Sequence, residues 1–361
     1  MVISRTPFRI SFFGGGTDYP AWYRQFGGCV LSATIDKYCY LSCRYLPPFF
    51  EHRFRVVYSK IENCRSIDEI AHPAVREILR HLRFDRGLEI HHDGDLPGRS
   101  GMGSSSAFTV GLLHALYALK GQIVSKHQLA TESIQVEQEI LKEAVGSQDQ
   151  VCAAYGGLNQ IHFHTNGDVS VRPVTVSPAR LAELNSRLML FYTGIKRTAA
   201  DIAASFVGDL SSKAKQLNLM RGLLDQSLEI LNSDKDLNPF GELLHTAWQA
   251  KRSLSSKVSN SHVDGLYEQA RSVGAVGGKL LGAGGGGFLL LFVPPDRQHA
   301  VREKLSQLIF VPFAFESFGS QIIFFDPEED YSEHDRARSQ RPVETFRELE
   351  SLGRRDDPNA P

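Results

Sequence analysis

Pro97-Gly98-Arg99-Ser100-Gly101-Met102-Gly103-Ser104-Ser105-Ser106-Ala107 decides how this chain is read. Beyond it, Val110, Leu112, Leu113, Leu116 and Leu119 recur at helical apolar spacing, and before it Leu88-Glu89-Ile90 has the character of a short strand. The order is therefore strand, glycine-serine loop, helix. Glycines let backbone approach an anion without a Cβ in the way, and a helix start offers unpaired N–H groups and partial positive charge. Serine hydroxyls can bind phosphate oxygens or a metal ion. A flexible linker or a plainly capped helix is the alternative, but the placement between strand and strong helix favours a phosphate cradle over Gly101 to Ser106.

The chain has 361 residues, room for two modest domains or one large one. With 42% hydrophobic and 22% charged residues and a net charge of −1, it reads as an ordinary globular protein, without the basicity of a nucleic-acid or anionic-membrane binder. No leader pattern is visible at Met1-Val2-Ile3-Ser4-Arg5, and the longest apolar runs, such as Phe288 to Val293, are too short to span a bilayer, so a cytoplasmic protein is expected. Five scattered cysteines (29, 39, 43, 64 and 152) contain no Cys-x-x-Cys pair and predict free thiols. A boundary is expected near Pro178 to Leu184. The charged, apolar-poor segment from Tyr331 predicts a mobile end, with a short helix over Val343 to Leu352.

A Walker A Gly-Lys-Ser/Thr triplet is absent, as are the protein-kinase His-Arg-Asp and Asp-Phe-Gly signatures, and no convincing dinucleotide fingerprint is present. The loop instead resembles the second motif of the GHMP small-molecule kinases, Pro-x-x-x-Gly-Leu-Gly-Ser-Ser, with Met102 at the usual leucine. Two more segments stand in the order of that family. Thr6-Pro7-Phe8-Arg9 opens an apolar strand that ends at Gly14-Gly15-Gly16-Thr17-Asp18-Tyr19, where a carboxylate just past a sharp turn can accept bonds from a polyol; a glycine hairpin with a turn-capping Asp is the alternative. Gly278 to Phe292 holds four consecutive glycines, Gly284 to Gly287, a costly choice for a mere turn. The first segment resembles the sugar-kinase version of motif one. It lacks the Glu-His that galactokinases carry at Gly15-Gly16, and Gly-Gly-Gly-Thr-Asp is similar to bacterial heptose 7-phosphate kinases.

The resemblance covers about the first 330 residues and implies an α+β fold in two domains. A ribosomal S5 domain 2-like N-terminal domain (residues 1–182) would pack on a ferredoxin-like C-terminal domain (183–330), followed by the charged tail (331–361). It implies an ATP- and magnesium-dependent kinase of a sugar phosphate, with D-glycero-D-manno-heptose 7-phosphate the expected acceptor. Another sugar kinase such as a fucokinase is the near alternative. An ATP-dependent decarboxylase on the same fold and a non-catalytic sugar sensor are the distant ones.

Site residues carry over by position. Nucleotide contacts are expected from Pro97, Gly98, Gly101, Gly103, Ser104, Ser105 and Ser106. Ser105 and Glu137 are the expected metal ligands, Glu137 lying in a predicted helix over Glu132 to Leu141, with Glu139 left to solvent. Val145-Gly146-Ser147-Gln148-Asp149 predicts a helix ended by Gly146 and a new one capped by Ser147. Asp149 could merely balance that helix dipole; the family match makes it the group that orients or deprotonates the acceptor hydroxyl, with Arg9 beside it. Gly15, Gly16, Thr17 and Asp18 are expected on the sugar, and Gly282, Gly284, Gly285 and Gly286 in a glycine loop that closes the site. Lys196-Arg197, after the strand Leu188 to Tyr192, faces either a substrate phosphate or solvent. Neighbouring His91 and His92 point to opposite strand faces and cannot readily share a metal, and His162 and His164 are read as ordinary strand residues.

Overall fold

Strand β1 (Val2–Phe13) is buried along almost its whole length, which suits its run of Phe and Ile residues and places it inside the molecule. It pairs antiparallel with the long strand β2 (Gly28–Tyr45) on one side and with β13 (Gln321–Phe325) on the other. The computed structural model describes residues 1–47, 49–195, 202, 205, 211–327, 333 and 337. The short helix α1 (Pro20–Phe26) lies between β1 and β2. A nine-stranded sheet runs β13-β1-β2-β5-β3-β4, where β3 is Phe54–Val57, β4 Ile61–Cys64 and β5 Leu88–Gly94. Strands β6 (Leu158–Phe163), β7 (Val169–Pro173) and β12 (Phe315–Glu316) extend it along β2 and β6. The register of β1 on β2 slips between Ser11 and Phe13, so the Phe12 carbonyl is displaced from the regular ladder.

Helix α3 (Ser104–Leu119) packs on β1 and β2. It is buried nearly all round from Ser106 to Leu116, so it is a core helix rather than an amphipathic surface one. Helix α4 (Lys126–Gln135) does not continue regularly through Leu141 as expected. It widens into a π turn at Val136–Ile140, which swings Glu137 inward. Helix α5 (Gln148–Tyr155) follows an irregular stretch. Ser147 makes no cap to it; its Oγ is instead held by the Gln138 side chain at 3.0 Å.

A second sheet, all antiparallel, contains β8 (Leu188–Tyr192), β9 (Gly277–Leu280), β10 (Phe288–Phe292) and β11 (Ile309–Val311) in the order β11-β8-β10-β9. Counted within this unit the order is fourth, first, third, second. With helices Ala214–Leu231, Asn238–Arg252 and Ser261–Ser272 before β9 and Gln298–Lys304 after β10, it is the ferredoxin-like arrangement. The α+β arrangement in two units expected from the motifs is what the chain forms. The linear division is not so simple. The expected boundary falls inside helix α6 (Pro178–Ser186), and residues 315–325, assigned by sequence to the second unit, hydrogen-bond into the first sheet. There β13 covers the edge of β1 that would otherwise lack a partner. The two sheets share a core. Phe240, at the start of helix Asn238–Arg252, lies 5.6 Å from Phe12, 5.2 Å from Phe13 and 6.2 Å from Phe292, ring centre to ring centre. The tail helix expected over Val343 to Leu352 lies outside the described residues.

Candidate active site

The loop between β5 and α3 is held by its own short bonds. Buried Ser100 donates to the Pro97 carbonyl at 2.6 Å. Gly103 adopts φ +74° immediately before the first helical residue, a conformation that L side chains rarely take. Pro97 is half-buried and Gly98 exposed, with open space where a Cβ would go. Ser104 is half-buried at the helix start, its Oγ accepting the Arg99 N–H at 3.3 Å, and Ser105 is exposed. Ser106 turns the other way, is buried, and donates to Oε2 of Glu137 at 2.9 Å. The Gln150 amide donates to the same oxygen, while Oε1 of Glu137 is buried with no described partner. Burial pushes the Glu137 carboxyl up to about 7, against the pull of the hydrogen bonds it accepts.

Arg9 reaches this loop from inside β1. Its Nε donates to Oδ1 of Asp149 and its Nη2 to Oδ2, both at 2.7 Å, and Nη1 donates to the Gly101 carbonyl at 2.7 Å. The Arg9 side chain is 5% exposed and that of Asp149 24%, so the carboxylate keeps an open side. Burial works against the Arg9 charge, and the Asp149 carboxylate more than restores it. A Cβ on Gly103 would lie 3.3 Å from Cγ of Arg9 and 3.4 Å from Oδ2 of Asp149, so loop and ion pair are packed together.

Asp18 joins this group from the other end of β1. Its carboxylate accepts the Gly16 N–H at 2.9 Å, and the Gln148 backbone N–H and side-chain amide at 3.3 and 3.0 Å. Burial raises its pKa, and these bonds oppose the rise. The Asp18 carbonyl accepts the Ser147 N–H at 2.9 Å, tying the first motif to the turn that carries Asp149. The space at Gly15 is lined by the Ser11 hydroxyl and the Gln148 amide, 3.5 and 3.7 Å from where a Cβ would stand. The Ser11 Oγ and Gln148 Oε1 are buried without a described partner. Half-buried Gly16 lies beside them, under Leu217. Thr17 departs from the sugar-contact expectation. It is fully buried, and its Oγ1 donates to the Gly14 carbonyl at 2.7 Å and accepts the Cys29 N–H at 3.1 Å, so its hydroxyl is spent on closing the turn.

The glycine loop after β9 rests on the loop that opens α3. A Cβ on Gly282 would come within 2.5 Å of the Gly101 Cα. Gly284 and Gly285 pack against Val258, whose carbonyl accepts the Gly285 N–H at 2.8 Å, and Gly286 meets Ile195. Gly287, the last of the four consecutive glycines but not among those expected to close the site, meets the Ser100 carbonyl. Lys196 and Arg197 lie outside the described residues. Two buried lysines were also missed. Lys279 on β9 donates to the displaced Phe12 carbonyl at 2.8 Å, and burial with nearby Arg9 brings it down to about 7. Lys251 donates to the carbonyls of Leu280 and Gly282. The only sequence hint was a lysine flanked by glycines and apolar residues at Gly277-Gly278-Lys279-Leu280.

Among the described residues no group of three or more His, Cys, Asp or Glu side chains could hold a metal ion. The Glu137 carboxylate beside the Ser106 hydroxyl, with a spare buried oxygen, still fits magnesium, which takes one or two carboxylates and completes its shell with phosphates and water, whereas no described contact brings Ser105 to Glu137. No helix of the described residues is long and apolar enough to cross a membrane.

Residues 69–157 match the GHMP kinases N terminal domain and residues 221–309 the GHMP kinases C terminal domain. The chain is 28% identical to D-glycero-alpha-D-manno-heptose 7-phosphate kinase of Campylobacter jejuni, over 84% of this chain and 92% of that protein. It is 27% identical to the L-fucokinase/L-fucose-1-P guanylyltransferase of Bacteroides fragilis, over 84% of this chain but 35% of that protein. In backbone it is similar to a D-glycero-D-manno-heptose 1-phosphate kinase from Bacteroides thetaiotaomicron, with a TM-score of 0.74 at 22% identity, covering 90% of this chain and 100% of that one. A galactokinase from Lactococcus lactis, solved with galactose, gives a TM-score of 0.66 at 18% identity, covering 89% and 94%.

Proposed function

The chain belongs to the GHMP kinases, and from that premise we propose that this phosphotransferase moves the γ-phosphoryl group of ATP to the anomeric hydroxyl of a heptose 7-phosphate. The observation that carries the reading is the Arg9–Asp149 fork, set against the loop that opens α3 and tied through Gln148 to Asp18. Similarity to the Campylobacter enzyme supports the choice of acceptor.

In this reading the loop backbone from Gly101 and the N–H groups that open α3 receive the nucleotide phosphates. The acceptor oxygen attacks the γ-phosphorus, the bond from that phosphorus to the bridging oxygen of ADP breaks, and the hydroxyl proton passes to Asp149. Arg9 occupies one direction on each oxygen of that carboxylate and leaves others open on its exposed side. Asp149 therefore acts first by orienting the hydroxyl, since a loose transition state asks for little base strength. Arg9 keeps further N–H donors for charge developing on the transferred group. Magnesium, when bound, neutralises phosphate charge; Glu137 with the loop serines would hold it. Asp18, with the polar space at Gly15 and Gly16, would take sugar hydroxyls. Lys196 and Arg197 would meet the 7-phosphate.

The test is kcat/KM in an ADP-release assay with heptose 7-phosphate, heptose, fucose and galactose. The phosphorylated heptose should lead by about 10²-fold or more, because a site built around a charge partner rejects an acceptor that lacks it. Preference for an unphosphorylated sugar overturns this acceptor. Preference for fucose would favour the second reading, a fucokinase, to which the Bacteroides fragilis similarity points.

A further inference from the structure

Lys251 lies deep in the second unit, on helix Asn238–Arg252, and takes no part in the transfer chemistry described above. Its Nζ donates to the Leu280 carbonyl at 2.9 Å and to the Gly282 carbonyl. Those two carbonyls flank Leu281, whose own carbonyl would stand 2.7 Å from a Cβ on Gly101. Gly282 itself lies against the Gly101 Cα. The Gly101 carbonyl accepts from Arg9, and Arg9 forks onto Asp149. A continuous path of contacts thus runs Lys251, Gly282, Gly101, Arg9, Asp149.

We propose that Lys251 is a positioning residue for the nucleotide: it fixes the carbonyls of the glycine loop, and through them the backbone of the phosphate loop, without touching either substrate. The inference rests on reading Gly101 to Ser106 as the nucleotide cradle.

The chemistry of the amine fits the task. Both described acceptors of Lys251 are backbone carbonyls and neither is a carboxylate, so no counter-ion explains a buried lysine here. The charged groups around it are Lys279, Arg9, Asp18 and Asp149. Burial, then the neighbouring Lys279 and Arg9, carry its pKa well below the ordinary lysine value, against Asp18 and Asp149. Two of the amine's N–H groups go to the two carbonyls it serves. A merely space-filling residue would be better apolar, since an amine is expensive to bury.

The experiment is a calorimetric titration of the full chain with ADP and magnesium, which needs no acceptor. Lys251→Met should weaken ADP binding by about tenfold or more with near-UV circular dichroism unchanged, and Lys251→Gln, which keeps two N–H donors, should fall between it and the parent. An unchanged ADP affinity in Lys251→Met overturns the proposal. So does a loss of affinity that comes with loss of the tertiary signal in both variants, because Lys251 would then only hold the fold. If Lys251→Met does not fold, Lys251→Gln carries the test through the same titration. Asp149→Asn separates this inference from the site reading. It should abolish most turnover while leaving ADP affinity within about twofold, whereas full activity in Asp149→Asn would remove the site reading itself.

Discussion

A Cβ placed on Gly146 would stand 1.9 Å from Oδ2 of Asp18. The turn that delivers Asp149 is therefore seated directly on the carboxylate of the first motif. Only a glycine lets the two approach so closely. Gly146→Ala should push Asp18 and Gln148 out of register, raising the KM for the acceptor by about tenfold or more while ADP affinity stays within about twofold. Steady-state kinetics beside an ADP titration would check this; equal losses on both substrates would contradict it.

Asp149→Asn should lower kcat by about 10²–10⁴-fold in a folded protein. Arg9→Lys should also be slow, because an ammonium cannot make the two parallel bonds that fix the Asp149 carboxylate. Near-normal turnover in either variant would remove that pair from the mechanism.

Glu137 supplies a pH signature. Its carboxyl stands near 7 when folded, above the ordinary value of 4.5, so the folded chain holds a proton that the unfolded chain has released between those limits. Without metal, this residue makes stability fall as pH rises from about 4.5 through about 7. Glu137→Gln should flatten that part of the unfolding curve. In the parent, magnesium must displace the proton, so the magnesium concentration for half-maximal activity should rise as pH falls from about 8 to about 6. A metal requirement independent of pH would count against Glu137 as a ligand.

Thr17→Val tests whether the Thr17 hydroxyl closes its turn or meets the acceptor. Losing the hydroxyl takes from the buried Cys29 N–H the acceptor it has in the turn, while the Gly14 carbonyl keeps the Thr17 backbone N–H, at a cost of about 1–3 kcal/mol in stability. At temperatures where the variant stays folded, kcat/KM should change by less than about threefold. A large KM effect with unchanged stability would return Thr17 to the substrate.

Much of the site was legible because its chemistry is written in consecutive residues. The glycine turn before Asp18, the loop into α3 and the four glycines before Phe288 each announce a close backbone approach locally. Helix phase could not separate Ser105 from Ser106, because Thr109 and Leu112, one and two turns beyond Ser105, are as buried as Val110 and Leu113 beyond Ser106. The π turn at Glu137 was not legible, because it depends on Ser106 and Gln150 waiting across a helix interface. Thr17 was misplaced because a threonine beside an acid reads alike whether it binds ligand or closes a turn. β13 returns to pair with β1 from more than 300 residues away and β12 returns to β2, and no local pattern encodes such partners.

Phe240 has a consequence for how the molecule can move. Its ring is wedged among Phe12 and Phe13 of one sheet and Phe292 of the other, all fully buried. A hinge swinging the two units apart would have to open that aromatic seam to water, which the apolar burial resists. Entry and exit of ligands are thereby left to segments outside the seam, and any breathing of the site belongs to its loops rather than to rigid halves parting.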